Sequence, residues 1–157
     1  ASRIAFADLL INSGQLSLAQ AVTANYLQHD LLLLRYVRAF KTTDDPKRGS
    51  YLHRLQHRIQ GYNHQTSHLH YDLLAEYELY FNQTPEAAVK WAFKHWQQQK
   101  MPRDARLLAT IAQAAQHPES LHTLQQWRNQ SQLEDQWLDQ VLHTGTAITV
   151  SSRTADH

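Results

Sequence analysis

Apolar residues recur at three- and four-residue steps along nearly the whole chain, the spacing by which one face of an α-helix meets a core. Leu18, Ala19, Val22 and Tyr26 follow it, as do Leu52, Leu55 and Ile59. Set between turn signals, these stripes predict nine helices. The first three are expected over Arg3–Asn12, Leu16–Leu27 and Leu31–Lys41. A fourth opens at Pro46 and stops at the polar connector Gly61–Thr66, and a fifth follows Ser67 as far as Phe81. The remaining four are expected over Pro85–Gln99, Pro102–Ala115, Pro118–Asn129 and Gln132–Leu142.

The breaks between stripes carry their own chemistry. Gly14 suits a helix C-terminus, where a left-handed residue closes the last turn. Asp30, Ser67 and Thr84 are expected to cap helices with their side-chain oxygens. Pro46 and Pro85 suit a first helical position, which needs no N–H. Turns near Gly14, Pro46, Pro85 and Pro118 recur at intervals of roughly 32 to 39 residues, each separating two helices, a period typical of α-solenoids.

Two helices are apolar on most sides. Leu31 to Leu34 with Tyr36, Val37 and Phe40 surround one. On the other, Ala88 and Ala92 lie a turn apart, Val89, Phe93 and Trp96 line a second face, and Trp91 a third. A helix without a polar side is packed between neighbours, and paired alanines let a neighbour come close.

Composition narrows the classes. Four glycines and four prolines in 157 residues are too few for the turns of a β-rich fold. Without cysteine there is no disulfide, thiolate metal site or cysteine nucleophile. A formal charge of +1 argues against a dedicated nucleic-acid binder. The longest leucine run, Leu31 to Leu34, falls far short of the roughly 20 apolar residues of a membrane span. The chain starts Ala-Ser-Arg without methionine, as expected of a processed chain or a piece of a longer one.

The segment YDLLAEYELYFNQTPEAAVKWAFKHW, Tyr71 to Trp96, resembles a tetratricopeptide repeat, with Ala88 and Ala92 at the small positions of the second helix. MPRDARLLATIAQAA resembles the first helix of a following repeat, and ADLLINSGQLSLAQAV, Ala7 to Val22, a weaker unit. DLLLLRYVRAF, PEAAVKWAFKHW and PRDARLLATIAQAA are also similar to the C-terminal part of longer bacterial repeat proteins, which often carry an export signal. The resemblance implies protein or peptide binding in a concave groove lined by first helices, no catalysis, and an exported rather than a cytoplasmic location.

Five histidines, His53, His57, His64, His68 and His70, fall close together. His53 and His57 are spaced to share a metal, but Arg54 and Arg58 beside them repel a cation. His70 points with Leu74, Tyr77 and Phe81 and is expected in the core or groove. The bland reading, surface and satisfied core histidines, outweighs a metal site. Between positions 31 and 62, Arg35, Arg38, Lys41, Lys47, Arg48, Arg54 and Arg58 are opposed only by Asp44 and Asp45. This is a solvated face or a surface for an acidic partner. Core packing is expected for most of the tryptophans. No Gly-rich phosphate loop or nucleophile elbow occurs, and Glu76 and Glu78 diverge on their helix.

The expected architecture is all-α: a solenoid of about four antiparallel helix–turn–helix hairpins in a single domain over 1–143, closed by the ninth helix as a cap, with a polar tail over 144–157. The expected function is a non-catalytic protein- or peptide-interaction module without cofactor. Arg35, Arg38, His68, Tyr71, Glu78, Arg106 and Gln113 are its outward-facing candidates. Two rivals remain: a metal-binding or pH-responsive protein using His53–His70, and a structural part of a longer repeat protein, open to self-association.

Overall fold

The computed structural model describes residues 2–63, 70–131 and 138–143. No strand occurs among them. Eight helices follow one another: α1 (Arg3–Asn12), α2 (Leu16–Thr23), α3 (Asp30–Arg38), α4 (Pro46–Asn63), α5 (Tyr71–Tyr80), α6 (Pro85–Gln98), α7 (Pro102–Ala114) and α8 (Pro118–Ser131). A short 3₁₀ turn, Ala24–Tyr26, follows α2. Residues 138–143 are also helical, overlapping the expected ninth helix and running one residue past its expected end at Leu142. Ser67, Trp137 and the tail over 144–157 lie outside the described residues.

Local chemistry accounts for most boundaries. Ser2 Oγ accepts from the Ala5 N–H at 3.1 Å and starts α1. Gly14 ends the turn after it at φ +78, in the left-handed region where a side chain is strained. α2 stops short of the expected Leu27. Thr23 Oγ1 turns back to the carbonyls of Ala19 and Gln20, a competition that loosens helices, and the chain tightens into the 3₁₀ turn. Pro46, Pro85, Pro102 and Pro118 each stand first in their helices, where a missing N–H costs nothing.

Three boundary expectations are corrected. Asp30 does not cap α3; it lies inside the first turn and binds α4 instead. Its carboxylate receives Arg58 Nη1 at 2.9 Å and the Tyr62 hydroxyl. That tie carries α4 through Gly61 to Asn63, where a connector was expected. The hydrogen bond to Asp30, burial and the Asp30 charge push the Tyr62 hydroxyl up to about 12. Thr84 precedes α6 without a side-chain capping bond; its hydroxyl donates to Glu78 Oε2 at 2.6 Å. His70, expected in the core or groove, is exposed just before α5.

The chain forms two compact units, Ala1–Leu69 and His70–His157. In the first, α1 packs on α2 and α3, α2 on α3, and α3 on α4. In the second, α5 packs on α6 and α7, α6 on α7, and α7 on α8. The same order appears twice: a hairpin, a second hairpin, and contact between their first helices.

The second unit shows why. Ala88 and Ala92 of α6 and Ala105, Ala109 and Ala112 of α7 are all buried, so small side chains let the backbones approach. Val89, Trp96, Leu108, Ile111 and Leu124 fill the remaining space. Trp96 meets Trp127 edge to face at 4.9 Å, both in or against the core as expected. Leu138 and Leu142 join this core, and Arg128 Nη2 binds Asp139 Oδ2 at 2.8 Å, fastening 138–143 to α8.

In the first unit Leu33, Leu34, Val37 and Leu55 are fully buried. Arg35 is buried among them, with only 3% exposed. Its guanidinium forks onto Asp8 of α1 at 2.8 and 3.0 Å and donates to the Leu31 carbonyl. A buried cation stripped of its partner is far costlier than the pair is valuable. Asp8→Ala is therefore expected to destabilise the protein by about 3 kcal/mol in urea unfolding; a loss under about 1 kcal/mol contradicts this role for the pair.

Candidate functional site

The residues expected to face a groove divide into three groups. Arg106 and Gln113 are exposed two turns apart on α7. Four others are engaged within the fold. Arg35 is buried on Asp8, a correction to its expected outward position, because a leucine-flanked site on α3 faces α1 rather than solvent. Arg38 leans on the same carboxylate at 3.7 Å, with its side chain 13% exposed. Tyr71 is buried, also against expectation, and stacks on Trp91 of α6 with centroids 5.6 Å apart and planes 23° from parallel. Glu78 accepts from Thr84 and from Asn82 Nδ2 at 3.1 Å, which ties the α5–α6 turn. The third group is His68, outside the described residues together with His64.

His53 and His57 lie exposed on α4, a turn apart, with Leu55 and Ile59 buried as the apolar stripe predicts. Among the described residues no group of three or more histidine or acidic side chains is placed to hold a metal. No helix among them is long and apolar enough to cross a membrane.

A trough of about 540 Å³ lies along α6 and reaches the start of α8. Ala87, Val89, Trp91 and Phe93 give it apolar lining, Lys90 and Lys94 line it with exposed ammonium groups, and His117 and Glu119 line it from the start of α8. Its shape follows from the packing of α6. With Ala88, Ala92 and Trp96 turned inward, the next positions around the helix are left facing out. Trp91 is half-buried and backed by Tyr71. Lys94 Nζ sits 5.1 Å from the Trp91 ring and 5.8 Å from the Tyr71 ring, within reach of a cation–π attraction. At the start of α8, Ser120 N–H donates to His117 Nδ1 at 3.3 Å, and Glu119 occupies the first turn, where negative charge is favoured.

A second cluster joins α5, α6 and α7. His95 Nε2 of α6 lies 2.7 Å from Asp104 Oδ1 of α7, and Asp104 Oδ2 accepts from the Met101 N–H at 3.1 Å. Arg103 reaches Asp72 at 3.6 Å and the buried Glu76 at 3.8 Å, both on α5. The hydrogen bond His95 donates to Asp104 raises the histidine above its ordinary value, with the Asp72 and Asp104 charges adding to the rise and burial opposing it. Burial acts to raise Asp104, but the His95 and Met101 hydrogen bonds and the charges of His95 and Arg103 outweigh it and hold the carboxyl low.

Neither the trough nor this cluster was read from the sequence. The trough had a partial signal in Trp91, alone on a third face of its helix. The pair had none, because His95 and Asp104 sit on different helices and meet only after α6 and α7 pack. No family model matches the chain, and no curated protein or solved structure is significantly similar to it.

The His95–Asp104 pair sets a pH dependence. A raised histidine stabilises fully below its unfolded value near 6.5, and that contribution is lost as pH rises through the higher folded value. The lowered Asp104 stabilises above its unfolded value near 3.8 and loses this in stronger acid. Thermal unfolding followed by circular dichroism is expected to give a higher Tm at pH 6 than at pH 9, with the difference reduced in His95→Gln. An unchanged difference in that variant removes the pair as its source.

Proposed function

We propose that this chain is a non-catalytic protein- or peptide-interaction module built from tetratricopeptide-like helical hairpins. The observation that carries the reading is the repeated packing order: in each unit, the second helix of the first hairpin packs against the first helix of the next, while the two first helices touch. Hairpins stacked in this way build solenoids, whose exposed helix faces serve as extended binding surfaces. The proline-opened helices and buried alanines of α6 and α7 agree with the resemblance of Tyr71–Trp96 to one repeat.

The binding surface proposed from the sequence needs rebuilding. Arg35, Arg38, Tyr71 and Glu78 hold the helices and their turns together, so substituting them tests stability before binding. Arg106 and Gln113 keep the groove-facing role proposed for first helices, where a guanidinium recognises a carboxylate and an amide the peptide backbone.

One observation favours the rival structural reading. Phe6, Leu9 and Leu18 are 43%, 63% and 46% exposed on α1 and α2. A terminal repeat normally turns a polar face outward. Another hairpin, from a neighbouring copy or a longer chain, would cover these side chains.

Affinity capture from extracts of the source cell separates the readings. An interaction module retains a stoichiometric partner other than itself, and Arg106→Glu with Gln113→Ala lowers its recovery about tenfold if the α7 face is used, the worth of roughly 1.4 kcal/mol. No partner above the bare matrix contradicts the interaction role. Sedimentation addresses the rival: a structural stacking segment self-associates with rising concentration, and Leu9→Lys with Leu18→Lys returns it to monomer. A wild-type monomer at all concentrations excludes that mode.

A further inference from the structure

We infer that the trough on α6 is a docking site for an acidic peptide segment that inserts one large apolar side chain. The inference rests on the proposed interaction role and deepens it, because it adds to the α7 face a recognition site on a second helix, α6.

Three features of the trough specify the occupant. Its walls are apolar and aromatic, and its volume of about 540 Å³ falls within the roughly 300–1,000 Å³ of pockets that enclose a ligand group. Its aromatic lining is fixed in advance. Trp91 is held by the stack on buried Tyr71, so little side-chain freedom is lost when a guest packs on it. Its lining is cationic on α6: Lys90 and Lys94 are exposed one turn apart, and neither is held in an ion pair among the described residues.

Charge narrows the chemistry of the guest. Carboxylates belong beside Lys90 and Lys94, where Lys94 already lies over two aromatic rings. Glu119, also on the lining, repels acid, so the acidic residues of the guest belong next to the lysines rather than next to α8. A nucleic acid fits this lining poorly, because two lysines beside a glutamate do not track a phosphate backbone.

The test is fluorescence anisotropy with short dye-labelled peptides on the full chain. The probe carries aspartates and glutamates beside a Leu-Phe pair. One comparator replaces that pair with alanine, and another replaces the acids with lysine. The site is supported if only the probe binds, if salt weakens it, and if Lys90→Glu/Lys94→Glu lowers its affinity at least about tenfold with helicity unchanged. Failure of the probe to bind, or equal binding by the lysine-reversed variant, overturns the assignment. Binding of laurate that alone responds to the variant overturns the peptide as occupant, and self-association lost in the same variant does so in favour of a second copy. A captured cellular partner that survives Lys90→Glu/Lys94→Glu while Arg106→Glu releases it overturns the trough and leaves the interaction role standing.

Discussion

Close approach of α6 to helices on two sides is the constraint on which the second unit depends. It requires alanine where the backbones meet, and the chain supplies Ala88 and Ala92 facing Ala105, Ala109 and Ala112 in one buried cluster. Once those faces are committed inward, the rest of α6 has fixed duties. Trp96 goes to the core, His95 to Asp104, and Trp91 with its lysines to the outside. The trough is thus a consequence of packing on the opposite side of the same helix. A helix held on two sides presents a stiff outer face, and stiffness lowers the entropy that any association there would cost.

Ion pairs add specification to this packing. Asp8 with Arg35 joins α1 to α3, Asp30 with Arg58 joins α3 to α4, Arg103 joins α7 to α5, and His95 with Asp104 joins α6 to α7. Each of these ties links helices on either side of a hairpin junction or across one. Apolar burial is non-directional, so a stack of similar helices can slide; a forked guanidinium on a carboxylate permits one register. Much of the basic excess over positions 31 to 62 is absorbed in this way, since Arg35, Arg38 and Arg58 all hold helices together.

The helices were legible in the sequence because their information is local. Apolar spacing, proline at a first position and Gly14 at a C-terminus act within a turn or two, and α1, α6 and α7 fall where these signals place them. The misplaced end of α4 depends on a distant group, since the helix runs through Gly61 where Tyr62 finds Asp30 on another helix, whereas α2 ends early through the local bonds of Thr23. The candidate site was less legible for the same reason. A helical wheel says which residues are polar, not which of them meets an opposite charge across a hairpin, so Arg35 and Tyr71 were expected outside and lie inside. The lysine pair was hidden too, because Lys90 and Lys94 gain meaning only after Tyr71 fixes Trp91 between them.

Amide hydrogen exchange followed residue by residue tests the two-sided confinement of α6 most directly. Helices gripped by neighbours on two faces open only when the whole unit unfolds, whereas a helix packed on one face frays on its own. The amides around Ala88–Ala92 and Ala105–Ala112 should therefore exchange at the rate of global unfolding of the second unit, slower than those at the end of α8. Exchange of the α6 amides as fast as those near Ser131 would contradict the confinement, and with it the origin of the trough.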